Sequence, residues 1–438
     1  MREPNGRLRT LLADARWSGQ DFARAVNGVA AETGLTLRYD RTSVSHWLSG
    51  TRPPAHVVAL AAEALSRRTG RRVSPADTGL TRPAGVRVRD RGGAEPRGVD
   101  AFGPGGVYAD AEAEALLGEI PVYSSGWRPP GGPPPAVTPS ASLTAGRIGA
   151  EHVAAAEAVL PVFRNADMMF GSGLVRPALT RYLATAVAPW LRAAAAPAVR
   201  HRLLGCAARL AYTAGFLCFD GNQQGVAQAY YRAALRLGQE AGDPRCWAPV
   251  LRAMSVQAHH LGHRKQAWEL AEAAAREAGR LPSLQAAFVT GQLAVAEAGC
   301  GDRRAAVKHL AQAQRWLERS DGQSAPIGDY HHAALAHQQA EALAALGDAR
   351  GAMAALGTSL RHRPAGECRA RAVTTARLAE LHLGEGHVER ACAVWHELLD
   401  LVPQLDSGRV EEAVRRLRAR LHPLRTHRAA RSLLSRLP

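Results

Sequence analysis

Residues 262–277 read GHRKQAWELAEAAARE. A glycine is followed at once by a polar residue, and Ala267 stands five places after the glycine. The run beyond it is amphipathic with helical spacing. Physically this is a turn between two helices. Glycine ends the first, because a left-handed cap costs it nothing sterically. The polar residue starts the second. The small side chain five residues on lets the second helix approach the first closely. The step recurs in GNQQGV (221–226), GDRRAA (301–306), GDARGA (347–352) and GHVERA (386–391), with glycine spacings of 41, 39, 46 and 39 residues. Two helices of this size cannot bury their apolar faces alone, so successive hairpins must stack.

The Gly-x-x-x-x-Ala step resembles that of tetratricopeptide repeats, with Val226 then Ala227 as a variant in the first segment. The period is longer than the roughly 34 residues of the standard repeat. Residues 146–193 hold two helical runs joined at Gly171-Ser172-Gly173 and read as an atypical first pair. Residues 406–436 carry nine Arg and three acids and read as a terminal capping helix with a solvated basic face.

Composition agrees with an all-helical reading. Alanine and leucine dominate, aromatics are 5% of the 438 residues, and β-branched residues other than valine are sparse, which argues against a sandwich or barrel. No apolar run approaches 18 residues, so no membrane partner is expected. The N-terminus carries no apolar stretch, and a cytoplasmic location is expected. The six cysteines are scattered without a C-x-x-C pair and read as small core residues. The net charge is +16, carried almost wholly by arginine, since Lys265 and Lys308 are the sole lysines. It divides as +5 over residues 1–80, −1 over 81–145 and +12 over the rest, so charge alone does not locate a site.

Residues 81–145 include GGAEPRGVDAFGPGG and RPPGGPPPAVTPSAS, which cannot bury enough apolar surface to fold. They read as a largely disordered Gly/Pro-rich linker, with a brief helix expected over ADAEAEALLGEI (109–120). The predicted fold class is therefore all-α. A small helical domain (1–80) and this linker precede an α-solenoid of tetratricopeptide-like helical hairpins (146–405) and a capping helix (406–438).

The first 80 residues carry the sharpest motif. Ser18 fits a helix N-cap with Asp21 three places later, and Phe22, Ala23 and Val26 form a buried side. In DRTSVSHWLSG (40–50), Asp40 is an N-cap, Val44, Trp47 and Leu48 form the apolar stripe, and Gly50 is a stop. Between the two helices, residues 27–40 are about ten longer than a tight turn needs. Helix two is expected to run to about Thr33, with LTLRY as an extended arm.

The string TSVSHWLSGTRPP, with FARA upstream, resembles the helix-turn-helix of the phage repressor/Cro family. The resemblance implies a recognition helix in the DNA major groove. It places Arg41, Thr42, Ser45 and His46 against base edges, and Gln20, Arg38, Ser43 and Arg52 against phosphates. The whole chain also resembles a group of actinobacterial, streptomycete-type regulators. RYDRTSVSHWLSGTRPP and SPADTGL carry that likeness, together with Phe163, Asp167, Gly171, Gly173, Tyr182 and Pro189. What it implies is transcriptional control of development or secondary metabolism.

No phosphate-binding glycine loop, zinc-protease helix or nucleophile elbow occurs, and no paired carboxylates stand out. No enzyme activity, cofactor or metal is expected. His259, His260 and His263, and the cluster His331, His332 and His337, read as polar lining of the repeat groove or surface. The expected partners are double-stranded DNA and a protein, peptide or small ligand in the groove, with a homodimer on DNA. The competing reading is an interaction adaptor, built on the solenoid, that does not bind DNA.

Overall fold

The computed structural model describes residues 4–81, 121–129, 147–320 and 330–437. Among them there is no strand, only an isolated bridge between Ile148 and Ala195. The brief helix expected over 109–120 lies outside the described residues.

The N-terminal unit holds α1 (Gly6–Ala15), α2 (Gly19–Ala31), α3 (Arg41–Leu48) and α4 (Ala55–Thr69). The starts of α2 and α3 are set by side-chain caps. Ser18 Oγ accepts the Asp21 N–H, and an Asp21 carboxylate oxygen accepts the Ser18 N–H, which closes a capping box. Asp40 caps α3 by accepting the Ser43 N–H at 2.8 Å. That helix ends in a Schellman turn, with Gly50 left-handed (φ 94) and the Thr51 N–H donating to the His46 carbonyl. The core is Leu8, Leu12, Phe22, Val26, Val44, Trp47 and the apolar side of α4. Trp47 meets Phe22 and Tyr39 edge-to-face, at 6.1 and 5.0 Å. Such pairs are worth about 0.5–1.5 kcal/mol beyond their burial.

The connection between α2 and α3 differs from expectation. Helix α2 stops at Ala31, and Gly34 turns the chain with φ 77. The Asn27 side-chain amide then brackets the Tyr39 backbone, donating to its carbonyl and accepting its N–H. The long connection is thus pinned at its far end.

The second unit opens with α5 (Ala150–Phe170), α6 (Ser172–Tyr182), a π-helical turn (Leu183–Val187) and α7 (Ala188–Arg192). Five hairpins follow. They are α8 (Pro197–Asp220) with α9 (Gln224–Glu240), α10 (Pro244–His260) with α11 (Arg264–Ala275), α12 (Ser283–Gly299) with α13 (Arg303–Glu318), α14 (His332–Ala345) with α15 (Ala349–His362), and α16 (Cys368–Gly384) with α17 (Val388–Leu401). The glycine step sets each hairpin. Gly262, Gly301, Gly347 and Gly386 are left-handed, and Ala267, Ala306, Ala352 and Ala391 are fully buried. In the first hairpin the register slips by one. Gly221 has φ −78, and Asn222 takes the left-handed place with φ 59. Counting five from Asn222 gives Ala227, which is fully buried, while Val226 is half-buried.

The C-terminus forms α18 (Gly408–Leu421) and α19 (Arg428–Leu434) rather than one capping helix. Helix α8 is long and apolar enough to cross a membrane by length and composition alone, with a mean hydropathy of 1.2 in its most apolar window. Arg200, Arg202 and Arg209 interrupt the helix, so it is not an unbroken apolar run. Of the residues in that most apolar stretch, 83% are buried, packed against α9, α5 and α6. Four of the cysteines are buried, but Cys300 is exposed and Cys368 half-buried, so not all six are core residues.

The array closes on itself. The Asp406 N–H donates to the Phe170 carbonyl at 2.8 Å, and the Gly173 N–H donates to the Asp406 carbonyl at 3.0 Å. A Cβ on Gly171 would stand 2.5 Å from the Asp406 carbonyl oxygen, and one on Gly173 about as near its carboxylate. The Gly-Ser-Gly junction therefore exists to admit a loop from the other end of the chain. Asn222 Nδ2 donates to the Gly408 carbonyl, and Arg369 of α16 pairs with Asp167 of α5 at 2.9 Å and reaches Asp220 of α8 at 3.7 Å. The result is a ring of helices.

Candidate functional site

Helix α3 divides cleanly into two sides. Val44 and Trp47 are buried, while Arg41, Thr42, Ser45 and His46 are exposed. An eight-residue helix with this 3.6-residue period leaves its four candidate base-reading side chains on one outward face. Gly19 at the start of α2 lies under this helix, where a Cβ would already touch Val44 and Arg41. Close packing brings Gln20 to the N-terminus of α3, where its Oε1 accepts the Arg41 N–H at 3.2 Å. Ser43 is committed to the cap, donating its hydroxyl to Asp40 at 2.8 Å. The same bonds hold the Asp40 carboxyl below the usual carboxylate range. Arg38 before α3 and Arg52 after it are both exposed.

The N-terminal unit docks on the ring through its opposite end. His263 Nε2 stands 3.0 Å from Glu63, with both side chains buried. Arg67 donates to Glu63 at 2.8 Å and forks onto both oxygens of Glu32 at 2.6 and 2.8 Å. Burial opposes the charge on Arg67, but the two carboxylates outweigh it and raise its basicity. Gly262 lies against the Arg67 carbonyl, which would stand 2.9 Å from a Cβ there. A strap, residues 121–129, crosses the same seam. Tyr123 stacks on His263 with ring centroids 5.3 Å apart and donates its hydroxyl to Gln266. The Gln228 amide group pairs with the backbone of Ser124 in both directions, each at 2.9 Å. Gly225 leaves room for the Pro121 carbonyl.

Inside the ring lies a cavity of about 730 Å³. Its wall combines aromatic rings with charge, eight arginines against six carboxylates among the described residues. Most of the charge is paired within the wall. Arg363 meets Glu367, Arg377 meets Glu341, and Arg416 meets Glu380 and Glu412. His260 and His337 face this space. Burial drives their pKa values down to about 3 and about 4, so both are neutral at pH 7. Glu32 and Arg67 of the N-terminal unit also reach the lining.

The histidine reading divides accordingly. His259, His260 and His337 line the cavity, whereas His263 is buried in the docking seam. His331 pairs with Glu367 at 2.7 Å, and His332 is exposed. Sequence reasoning missed the seam residues Glu32, Glu63, Arg67 and Tyr123. The signal for Tyr123 was present in VYSSGW (122–127), an aromatic island in a Gly/Pro-rich tract.

These features define a helical N-terminal domain docked on a closed ring of helical repeats. Residues 8–81 match the family model described as the SP15 N-terminal domain. No curated protein and no solved structure matches the chain.

Proposed function

We propose that the chain is a sequence-specific DNA-binding transcription regulator whose repeat ring takes a partner in its cavity. The observation that carries this reading is the outward face of α3. Arg41, Thr42, Ser45 and His46 are free of core duty, on a helix braced from behind by Val44 and Trp47. Arginine suits the O6 and N7 of guanine, and the short hydroxyls serve several bases. Arg38, Arg52 and Gln20 flank that face and would meet phosphates, whereas Ser43, with its N–H and hydroxyl both spent on Asp40, would fix the helix start rather than reach a phosphate. The docking seam lies at the far ends of α2 and α4, so it does not cover α3. Two copies on DNA would read half-sites about one helical turn apart. The likeness to streptomycete-type regulators supports a role in development or secondary metabolism.

The test begins with duplexes selected from a random library by the full chain. The Arg41→Ala and Thr42→Ala double variant is then measured on the winning site. Each lost base contact is expected to cost about 1–3 kcal/mol and to relax preference at its position. Unchanged site-specific affinity would remove α3 from DNA reading.

A further inference from the structure

The ring cavity holds a cation that the protein leaves unmatched. Arg252 of α10 projects into the lining and lies over the face of Phe288, its guanidinium carbon 4.0 Å from the ring centre. Among the described residues no carboxylate forms an ion pair with it, and its Nε has no hydrogen-bond partner. The ionisable groups within electrostatic reach are Tyr212, Tyr330 and Tyr231, none a carboxylate, and burial lowers its basicity. Arg409 repeats the arrangement from α18, 4.7 Å above Phe219, with Asp220 as the acid nearest in influence. Four other arginines of the wall contrast with these two. Arg363, Arg369, Arg377 and Arg416 each hold a carboxylate.

Removing a guanidinium from bulk water without a counter-charge is costly. A wall that does so on an aromatic shelf is prepared for a ligand that brings its own negative charge. We infer that the cavity binds a small organic anion, with its acidic group on Arg252 and its apolar body against Phe288 and the neighbouring aromatic wall. Planar guanidinium groups favour the forked geometry of oxyanions. The volume of about 730 Å³ falls in the range of small-molecule sites. Tyr330 and Gln338 lie on the same wall and are bonded to each other, hydroxyl to amide oxygen. The Gln338 Nε2 is buried with no partner, a donor available to an anionic oxygen.

This inference rests on the reading of the cavity as a ligand site, and it is independent of DNA binding. The probe is 1-anilinonaphthalene-8-sulfonate, whose fluorescence reports transfer into an apolar site. N-phenyl-1-naphthylamine has the same rings without the charge. The full chain is expected to bind the sulfonate saturably at one site, and Arg252→Met to weaken that binding at least tenfold while leaving the neutral probe unchanged. Equal loss of both probes, or no loss of the sulfonate, overturns the anion assignment while leaving a ligand site. Binding of neither probe by the wild-type chain overturns the site itself. Should Arg252→Met lose its cooperative melt, competition on the wild-type chain decides. Benzenesulfonate is expected to displace the probe at least tenfold better than uncharged benzenesulfonamide, and equal potency overturns the assignment.

Discussion

Single residues carry the closure of the ring. Arg369 is buried among Asp167, Asp220 and the face of Phe216, so it joins α16 to α5 and α8 at once. Burial opposes its charge, and the two aspartates more than restore it. Burial also raises the Asp167 pKa, against the pull of Arg369. Replacing Arg369 by methionine keeps the packing on Phe216 but removes the cation that pairs with both buried carboxylates, leaving only the more distant influence of Arg409. A loss of about 3–5 kcal/mol is expected, because breaking a buried pair from one side exposes the full desolvation cost. Chemical denaturation of the full chain checks it, and a loss under about 1 kcal/mol would mean the clamp is not structural. On the DNA face, Arg38→Ala and Arg52→Ala are expected to weaken binding to all duplexes alike. Each should reduce the slope of affinity against salt by about one. An effect confined to one sequence would make them base readers.

At the scale of elements, the strap and the histidines make separate predictions. Gly225 sits in the first turn of α9, where alanine would favour the helix by about 1 kcal/mol. A Cβ there would nevertheless overlap the Pro121 carbonyl. Gly225→Ala is thus expected to release residues 121–129 while α9 stays intact. Hydrogen exchange should accelerate in the strap and not in α9, and unchanged protection of the strap would refute the contact. The pH response follows from His260 and His337. Their folded pKa values, about 3 and about 4, lie below the unfolded value near 6.5, with burial the leading cause. Below that value the unfolded chain binds protons that the folded chain resists. Stability therefore falls as pH drops from 7 toward 4. Around His337, Glu341 favours its charge while Arg363, Arg377 and Arg409 oppose it, and Thr374 hydrogen-bonds its Nδ1. Burial raises Glu32 and Asp167, whose contribution runs the other way but only near their own lower range. A melt series between pH 7.5 and 5 should slope downward, less steeply in His337→Gln. A flat wild-type profile would contradict the burial.

Over the whole molecule, the hairpins were legible in sequence and their closure was not. The glycine-to-alanine step is local, and it names Ala267, Ala306, Ala352 and Ala391 correctly because cap and close approach depend on neighbours in the chain. It misplaced the first cap by one residue, since asparagine also tolerates the left-handed region and Asn222 was needed to bond Gly408. Asp167 meets Arg369, and Gly173 meets Asp406, each across more than two hundred residues, and no spacing rule connects them. The Gly171-Ser172-Gly173 junction was visible, but the loop that fills it was not. The outward face of α3 could be read directly, because a stripe of Val44 and Trp47 fixes which side faces away. The seam residues Glu63 and Arg67 could not, since a buried acid on an apolar helix looks like any surface acid until its neighbour is known.

Closure also changes how such an array must come apart. In an open stack each repeat touches only its neighbours, so unfolding starts at a frayed end and can stop part way. Here the first and last repeats guard one another, so neither can fray without breaking the other's contact. Local unfolding has to sever the contact between Asp406 and the Gly171–Gly173 junction before any terminal hairpin can peel away. The consequence is a single steep transition with long-range contacts made late, and slow folding relative to an open array of the same length. Cutting the chain after residue 405 should replace that one transition by a broader, staged one.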